Sequence, residues 1–260
     1  MTTLRSLSLF LCSLLLAGFA PVAAADTVSI GGAALKPGTY SWQEGTRLHD
    51  ATVAAQVRAD AWFLGAALLR HAAVESQQQL KGQLLADLRT NRLHARTRNK
   101  TDLLHLLDRL DALVTVMPVT GRVPAQLDPF QLLLKKNNAL LRPGDQLLYP
   151  TRPAQIRVVG AVAADCVLTF DAALALKDYL RQCPPHKVVD RNIVQIIQPD
   201  GRVQEVGIAH WNQQQASLAV GAVIYRPLKQ RLLTPETADL NRDMAALLAT
   251  QYQLGGHFSE

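Results

Sequence analysis

Short apolar runs at the two ends of the chain are separated by a long stretch in which leucines recur with a helical repeat. Residues 28–30 and 38–42 predict two strands, which the Pro-Gly turn at Pro37 joins into a hairpin. Gly45 and Thr46 offer an N-cap for the helix that follows, whose apolar stripe runs through residues 48–57. Much later, residues 141–150 predict a turn that leads into a further strand.

The second half of the chain repeats this order. Its pattern predicts a strand over 156–162, a helix over 171–180, a strand over 193–198, a turn over 199–201 and a closing segment over 218–225. Strands and one helix in this order predict a small mixed sheet with a helix packed on it, which is the α+β class.

The segment between the two halves, residues 62–116, is predicted to be a helical insertion. It contains no proline, and its leucines recur at near-helical spacing. Two helices joined near residues 91–99 and packed as an antiparallel hairpin fit this pattern. The leucine stripes then pack on each other, and no cofactor is needed to explain them.

A last helix is predicted to begin at Pro235, with Thr234 as its N-cap, and to end before Gly255 and Gly256. Its Leu, Met and Tyr side chains fall on one face, which makes it an amphipathic helix of roughly 17 residues. Two arrangements would cover that face: docking on the protein's own domains, or packing against a partner or a second copy.

The first 25 residues indicate export. They combine Arg5, an apolar middle and a run of alanines at 23–25, which is the layout of a cleavable secretory signal peptide. The alternative is a membrane anchor, but the apolar run is shorter than the roughly 20 residues that a span needs. The mature chain is therefore expected to begin at Asp26, to be periplasmic and to have no transmembrane segment.

Composition narrows the class of protein further. Of the 260 residues, 48% are apolar and only 3 are cysteine, which excludes a disordered chain and a disulfide scaffold. Removal of the signal peptide leaves Cys166 and Cys183, which predict one disulfide in an oxidising compartment. The alternative is two buried thiols too far apart to join. Neither cysteine lies in a C-x-x-C motif, so no metal site is predicted.

Several segments together resemble the GfcC-like capsule biosynthesis family. They are Lys36-Pro-Gly-Thr-Tyr-Ser-Trp42, Gly45-Thr-Arg-Leu-His-Asp-Ala51, Ala59-Asp-Ala-Trp-Phe-Leu-Gly65, Leu141-Arg-Pro-Gly-Asp145 and Arg157-Val-Val-Gly-Ala-Val162. The segment that closes the second half departs from the family's pattern, with Ala222 where Asp is usual. The match covers most of residues 27–226.

The resemblance implies two β-grasp (SLBB-like) domains related to those of polysaccharide export proteins. The first would span 26–152 and carry the helical insertion at about 62–116, and the second would span 153–231. Residues 232–260 would form the C-terminal amphipathic helix and tail. The family is associated with capsule and exopolysaccharide systems, and no catalytic chemistry is established for it.

Motifs for catalysis are absent from the sequence. There is no G-x-S-x-G elbow, no H-E-x-x-H and no phosphate-binding glycine loop. Asp108 and Asp111 lie one helical turn apart, a spacing that would let them face a substrate as a glycosidase pair, but Arg109 between them indicates a solvated face. His49 and Asp50 are read as exposed helix surface rather than as a proton-transfer pair. No cofactor is predicted.

Two basic features are candidates for binding. Arg122 lies in Pro118-Val-Thr-Gly-Arg-Val-Pro124, where Gly121 and the prolines would aim its guanidinium at a carboxylate or phosphate; the alternative is a structural salt bridge at a domain junction. A second, possible contact surface lies toward the tip of the hairpin, for which a solvated turn is the alternative. Its residues are Arg89, Arg92, Arg96, Arg98 and Lys100.

The sequence thus predicts a periplasmic, non-enzymatic accessory protein of capsule or exopolysaccharide assembly and export. It would bind either polysaccharide or a component of the export machinery. Nucleic acid is not expected as a partner, because a net charge of +6 is modest for this length. Two alternatives stay open: a periplasmic enzyme that modifies the polymer, and a purely structural envelope scaffold. Tyr40, Trp42, Trp62 and Trp211 are able to stack on sugars, although core packing is favoured for most of them.

Overall fold

The computed structural model describes residues 26–252, so the predicted signal peptide lies outside the described residues. The chain forms two five-stranded mixed sheets and six α-helices within that range. In chain order the elements are β1 (Thr27–Gly32), β2 (Gly38–Ser41), α1 (Leu48–Ala54), β3 (Ala67–Leu69), α2 (Val74–Thr97), α3 (Thr101–Val116), β4 (Arg122–Val123), α4 (Pro129–Leu132), β5 (Gln146–Tyr149), β6 (Gln155–Gly160), β7 (Cys166–Thr169), α5 (Leu176–Gln182), β8 (Ile193–Ile197), β9 (Val203–Gly207), β10 (Val223–Arg226) and α6 (Leu240–Ala249).

The two sheets have the same topology. The first unit, β1–β5 with α1, has the strand order β2-β1-β5-β3-β4, and the second unit, β6–β10 with α5, has the order β7-β6-β10-β8-β9. In each unit the first two strands form an antiparallel hairpin, and the last strand runs parallel to the first. One helix follows the hairpin in both units. The α+β class and the internal repeat predicted from the sequence are therefore confirmed.

Alternating burial along the strands explains why these segments form sheets. In β1, Val28 and Ile30 are each 2% exposed, and they pack on the buried side of α1. That helix begins at Leu48, so the predicted N-cap at Gly45 and Thr46 is wrong. The carboxylate of Asp50 instead accepts a hydrogen bond from the backbone N–H of Arg47, at 2.9 Å.

Helix α5 begins five residues later than predicted. Asp171 does not enter a helix, because its carboxylate accepts a hydrogen bond from the N–H of Ala173 and holds a local turn. The carboxylate of Asp178 caps the helix at Ala175. Just after α5, Cys183 forms a disulfide with Cys166 of β7, with a Cα–Cα distance of 6.0 Å. The predicted disulfide is confirmed.

The helical hairpin is inserted between β3 and β4, which pair antiparallel through Leu68 and Val123. In the second unit the equivalent strands, β8 and β9, are joined by a short turn at 198–202. The prediction of helix from residue 62 is wrong for residues 62–73, which contain β3 and two short 3₁₀ turns. The helices meet at residues 98–100, where Asn99 adopts the left-handed conformation with φ 54°.

The inserted hairpin packs on the second sheet rather than on the sheet from which it grows. Helix α5 covers one face of that sheet, and α2, α3 and α6 cover the other. Leucines of the hairpin and apolar residues of β6, β8, β10 and α6 form one continuous core. Its fully buried members include Leu84, Leu88, Leu107, Val159, Ile197, Val223, Tyr225, Met244 and Leu247.

The C-terminal segment is shorter than predicted as a helix. A 3₁₀ turn at Pro235–Thr237 precedes α6, which ends at Ala249. Leu240, Met244 and Leu247 are fully buried against the hairpin and the second sheet, so α6 docks on its own chain. Within residues 26–252, none of the helices is both long and apolar enough to cross a membrane.

Candidate functional site

Arg122 lies at the junction of the two units and of the C-terminal helix. Gly121 before it has φ 71°, and a Cβ there would come within 2.8 Å of the carbonyl of Arg70, so the rigid backbone expected from the sequence is present. The Arg122 side chain is only 6% exposed. Its guanidinium donates hydrogen bonds to three carbonyl oxygens, of Gln251 at 2.7 Å, Pro199 at 2.5 Å and Ala66 at 3.3 Å.

This burial lowers the pKa of Arg122 to about 10, and the charge of Asp200 opposes the change. The guanidinium is therefore still protonated at neutral pH and makes charge-assisted hydrogen bonds to the backbone. The three acceptors belong to the first unit, to the β8–β9 turn and to the end of the C-terminal helix. The geometry favours the structural alternative, with carbonyls in place of a carboxylate, and the ligand contact stays a prediction.

The predicted basic surface divides into two parts. Arg96, Arg98 and Lys100 are exposed around the hairpin turn, and Arg89 is exposed on α2. Arg92 is different, because it forms ion pairs within the hairpin.

The acid pair singled out from the sequence is the partner of Arg92. Its guanidinium lies 2.6 Å from an oxygen of Asp108 and 3.5 Å from an oxygen of Asp111. Arg109 between them does not lie on a solvated face: it donates to the carbonyls of Gly160 and Val162, each at 2.7 Å, and so fixes α3 to the end of β6. The two carboxylates hold α2 and α3 together and do not flank a substrate cleft.

The aromatic candidates separate clearly by exposure. Trp42 is half-buried and donates from its indole N–H to the carbonyl of Leu141 at 2.8 Å. Trp62 is buried, and its ring lies against Gly221 of the second unit, where a Cβ would come within 2.4 Å of it. Trp211 is 77% exposed. Of the three tryptophans, Trp211 alone has its indole free to meet a ligand.

A groove of about 710 Å³ opens beside the segment that carries Trp211. It lies in the second unit, between α5 and the stretch 207–217 that connects β9 to β10. No motif in the sequence pointed to it. The polar side chains that line the groove include Lys177, Arg181, Gln213, Gln214, Gln215 and Arg226.

The wall of the groove that carries the glutamines is held in place by the backbone. Gln214 exchanges two hydrogen bonds with Gly207, one through its own N–H at 3.0 Å and one through its side-chain oxygen at 3.1 Å. The chain passes so close that a Cβ on Gly207 would lie 2.0 Å from the carbonyl oxygen of Asn212. Gln213 and Gln215 stay exposed on this rigid wall.

The groove and the indole beside it offer groups that are able to contact a sugar. Amide side chains donate and accept hydrogen bonds, as hydroxyl groups require, and an exposed indole presents a flat apolar face with a polar edge. A groove of this size with a few convergent polar groups is the usual form of a ligand site. Within residues 26–252, no three His, Cys, Asp or Glu side chains are arranged to share a metal ion.

Comparison with known proteins places both units in one family. The model of the N-terminal part, described as capsule biosynthesis GfcC, N-terminal, matches residues 24–153. The model described as capsule biosynthesis GfcC C-terminal matches residues 165–252. A relative from Escherichia coli (strain K12), the uncharacterized protein YjbG, is 24% identical over 194 residues, which are 73% of this chain and 76% of that protein.

Proposed function

The chain belongs to the capsule biosynthesis GfcC family, and we propose that it is a periplasmic accessory protein of capsule or exopolysaccharide assembly and export. It acts by binding polysaccharide and not by catalysis. In this proposal the two units are β-grasp (SLBB-like) domains over 26–152 and 153–231, followed by the C-terminal amphipathic helix and tail. Their common strand order, with the last strand parallel to the first, supports this assignment.

The cysteines support the periplasmic location. The two that remain after the predicted signal peptide is removed are joined to each other, and such bonds persist in oxidising compartments. A pair of this kind in a cytosolic protein would be kept reduced.

The observation that carries the binding function is the groove of the second unit, with exposed glutamines on one wall and Trp211 beside it. The test is binding of the purified exopolysaccharide of the source organism, measured by calorimetry. We expect Trp211→Ala to weaken binding about fivefold, as the loss of one aromatic contact does.

A matched control is available for that experiment. Phe130 is 70% exposed and lies on α4 of the first unit, outside the residues that line the groove, so Phe130→Ala should bind the polysaccharide as the wild type does. Equal affinity of the wild type and Trp211→Ala would contradict the proposed role of the groove. Release of new reducing ends from the polymer would instead favour the enzyme alternative.

A second candidate, attachment to an export component, has its own observation. Phe130, Leu133 and Leu134 are 70%, 70% and 49% exposed on α4 and the turn after it, beside Lys135 and Lys136. Clustered exposed apolar side chains are typical of interaction surfaces. A double substitution, Phe130→Ser with Leu133→Ser, should then abolish cross-linking to the polysaccharide exporter in cells and leave polysaccharide binding unchanged.

A further inference from the structure

We infer that the groove of the second unit contains an anion subsite built on Arg226, so that the polysaccharide it takes carries acidic sugars. This inference rests on the proposed function, because it names the class of glycan that the same groove selects. It assigns to Arg226 a contact with a carboxylate of the ligand.

The internal repeat shows what the fold requires at this position. Arg226 is the last residue of β10 and pairs with Gly160 of β6, just as Tyr149 is the last residue of β5 and pairs with Gly32 of β1. Both glycines have positive φ, 96° and 86°. A Cβ on Gly160 would come within 2.5 Å of the carbonyl oxygen of Arg226, and one on Gly32 within 2.1 Å of that of Tyr149. Arg226 and Tyr149 are therefore structurally equivalent.

In the first unit this position is part of a closed apolar core. Tyr149 is fully buried in one cluster with Leu48 of α1, and its ring meets that of Phe63 edge to face at 6.3 Å. The connection between β4 and β5 closes the space, because its Leu127 and Leu132 join the same cluster.

In the second unit the equivalent connection leaves the space open. The stretch 207–217 lies along one side of the groove, and Arg226 lines it together with residues of α5. The two repeats thus differ at the same place in both the side chain and the cover above it. Packing alone needs an apolar residue here, as the first unit demonstrates, so an arginine calls for another explanation.

Within the described part of the chain, the guanidinium of Arg226 has no hydrogen-bond or ion-pair partner. The residue is 6% exposed, its Nε makes no hydrogen bond, and among residues 26–252 no carboxylate pairs with the guanidinium. The neighbour whose charge acts on it is another cation, Arg191, and burial followed by that charge lowers the pKa of Arg226. A guanidinium that lines the groove beside another cation makes the local potential positive.

A buried cation without a partner costs stability, and an anionic ligand removes that cost. Arginine binds carboxylates through two parallel hydrogen bonds, which gives both affinity and orientation. Lys177 and Arg181 line the same groove and are exposed, although Arg181 forms an ion pair with Asp178. The groove therefore suits an acidic sugar whose carboxylate reaches Arg226 while its hydroxyl groups meet the glutamine wall.

The test compares one polymer in two forms. The exopolysaccharide of the source organism is purified, and half of it is treated with carbodiimide and borohydride, which reduces its carboxylates to neutral alcohols. We expect the wild-type protein to bind the acidic form roughly tenfold more tightly than the reduced form. Arg226→Met should lose this preference yet bind the reduced form as the wild type does, and Arg181→Gln should keep most of the preference.

A second measurement separates a binding role from a structural one. Because Arg226 is buried without a partner, Arg226→Met should melt at the wild-type temperature or above it. A lower melting temperature would overturn the inference, since it would show that the guanidinium supports the fold. Equal binding of the two polymer forms by the wild type would also overturn it and leave polysaccharide binding intact. Failure of the wild type to bind either form would reject the proposed function itself.

Discussion

Replacing Arg122 by alanine tests whether this residue joins the two units. The substitution removes a guanidinium that is 6% exposed, and it leaves the carbonyls of Gln251, Pro199 and Ala66 without their donor. These acceptors come from three segments far apart in the chain. The variant therefore loosens the β8–β9 turn and the end of the C-terminal helix from the first unit.

The magnitude follows from two opposing contributions. A hydrogen bond to a charged group is worth about 1.5–3 kcal/mol, and each carbonyl left buried and unpaired costs about 1–3 kcal/mol. Against this, the variant no longer has to bury a charged group, which returns several kcal/mol. We expect Arg122→Ala to lower the free energy of unfolding by about 3–5 kcal/mol, a large part of the ~5–15 kcal/mol typical of a folded protein.

The assay is urea unfolding at pH 7, where Arg122 is protonated because its pKa is about 10. Arg202→Ala is a matched control: it removes a cation from the same turn, but that side chain is 78% exposed and forms a surface ion pair with Asp200. The control should lose less than about 1 kcal/mol. If Arg122→Ala is as stable as the control, Arg122 does not hold the junction together. The ligand contact predicted from the sequence would then be the favoured role.

Three further predictions concern stability. Replacing both Cys166 and Cys183 by serine should lower the free energy of unfolding by about 3 kcal/mol, and thiol titration of the unfolded, unreduced wild type should find neither of them free. Cutting the chain after Arg231 should prevent cooperative melting, because it removes the buried side chains of Leu240, Met244 and Leu247. Burial of each of them is worth about 1.5–3 kcal/mol. A wild-type melting temperature of the truncated protein would contradict this. Asp87 is 6% exposed, and burial, opposed by the Gln83 hydrogen bond and aided by the charges of Asp243 and Asp239, raises its pKa. The ionised carboxylate of Asp87 therefore lowers the free energy of unfolding at neutral pH, and this penalty fades as the pH falls through the folded-state pKa. Asp87→Asn should accordingly raise the melting temperature at pH 7 more than at pH 4. Equal gains at both pH values would refute the argument.

Local pattern was sufficient for most of the fold. Alternating apolar residues and nearby turn residues predict the hairpin of β1 and β2 and the helix after it. The same local signals predict that the second half repeats this order of elements. Local pattern gave the wrong prediction, a helix, for residues 62–73. Leu68 there belongs to a strand whose partners, Val123 and Leu147, are distant in sequence. Leucine spacing over a few residues does not distinguish a buried strand from a helix when the pairing is that remote.

Separation along the chain also limited what the sequence predicts about the site. Gly121 and its prolines correctly indicated a rigid backbone at Arg122, but burial there depends on Pro199 and Gln251, which no local motif includes. The groove was missed because α5, the glutamine wall and Arg226 meet only in the fold. One signal in the sequence was available. When the closing strands of the two repeats are aligned, Arg226 takes the position of Tyr149, so a charged residue replaces an aromatic one.

The insertion of the hairpin between β3 and β4 has a consequence for synthesis. Translation delivers a chain from its N-terminus, so α2 and α3 emerge well before the strands of the second sheet that cover their leucines. Leu84, Leu88 and Leu107 have no complete partner surface until β10 and α6 have followed. During that interval the nascent chain exposes a long apolar stripe, which is the kind of segment that chaperones bind.

The order of the elements also makes the core between the hairpin and the second sheet a late one to form, whereas the core of the first sheet uses only residues 28–149. The second unit forms the core beneath α5 from its own residues, but its other face is covered by a hairpin that is encoded within the first unit. A fragment cut between β5 and β6 would leave the hairpin without its sheet, and the sheet without its cover. The two units look like modules by topology, yet the largest core of the protein is shared between them.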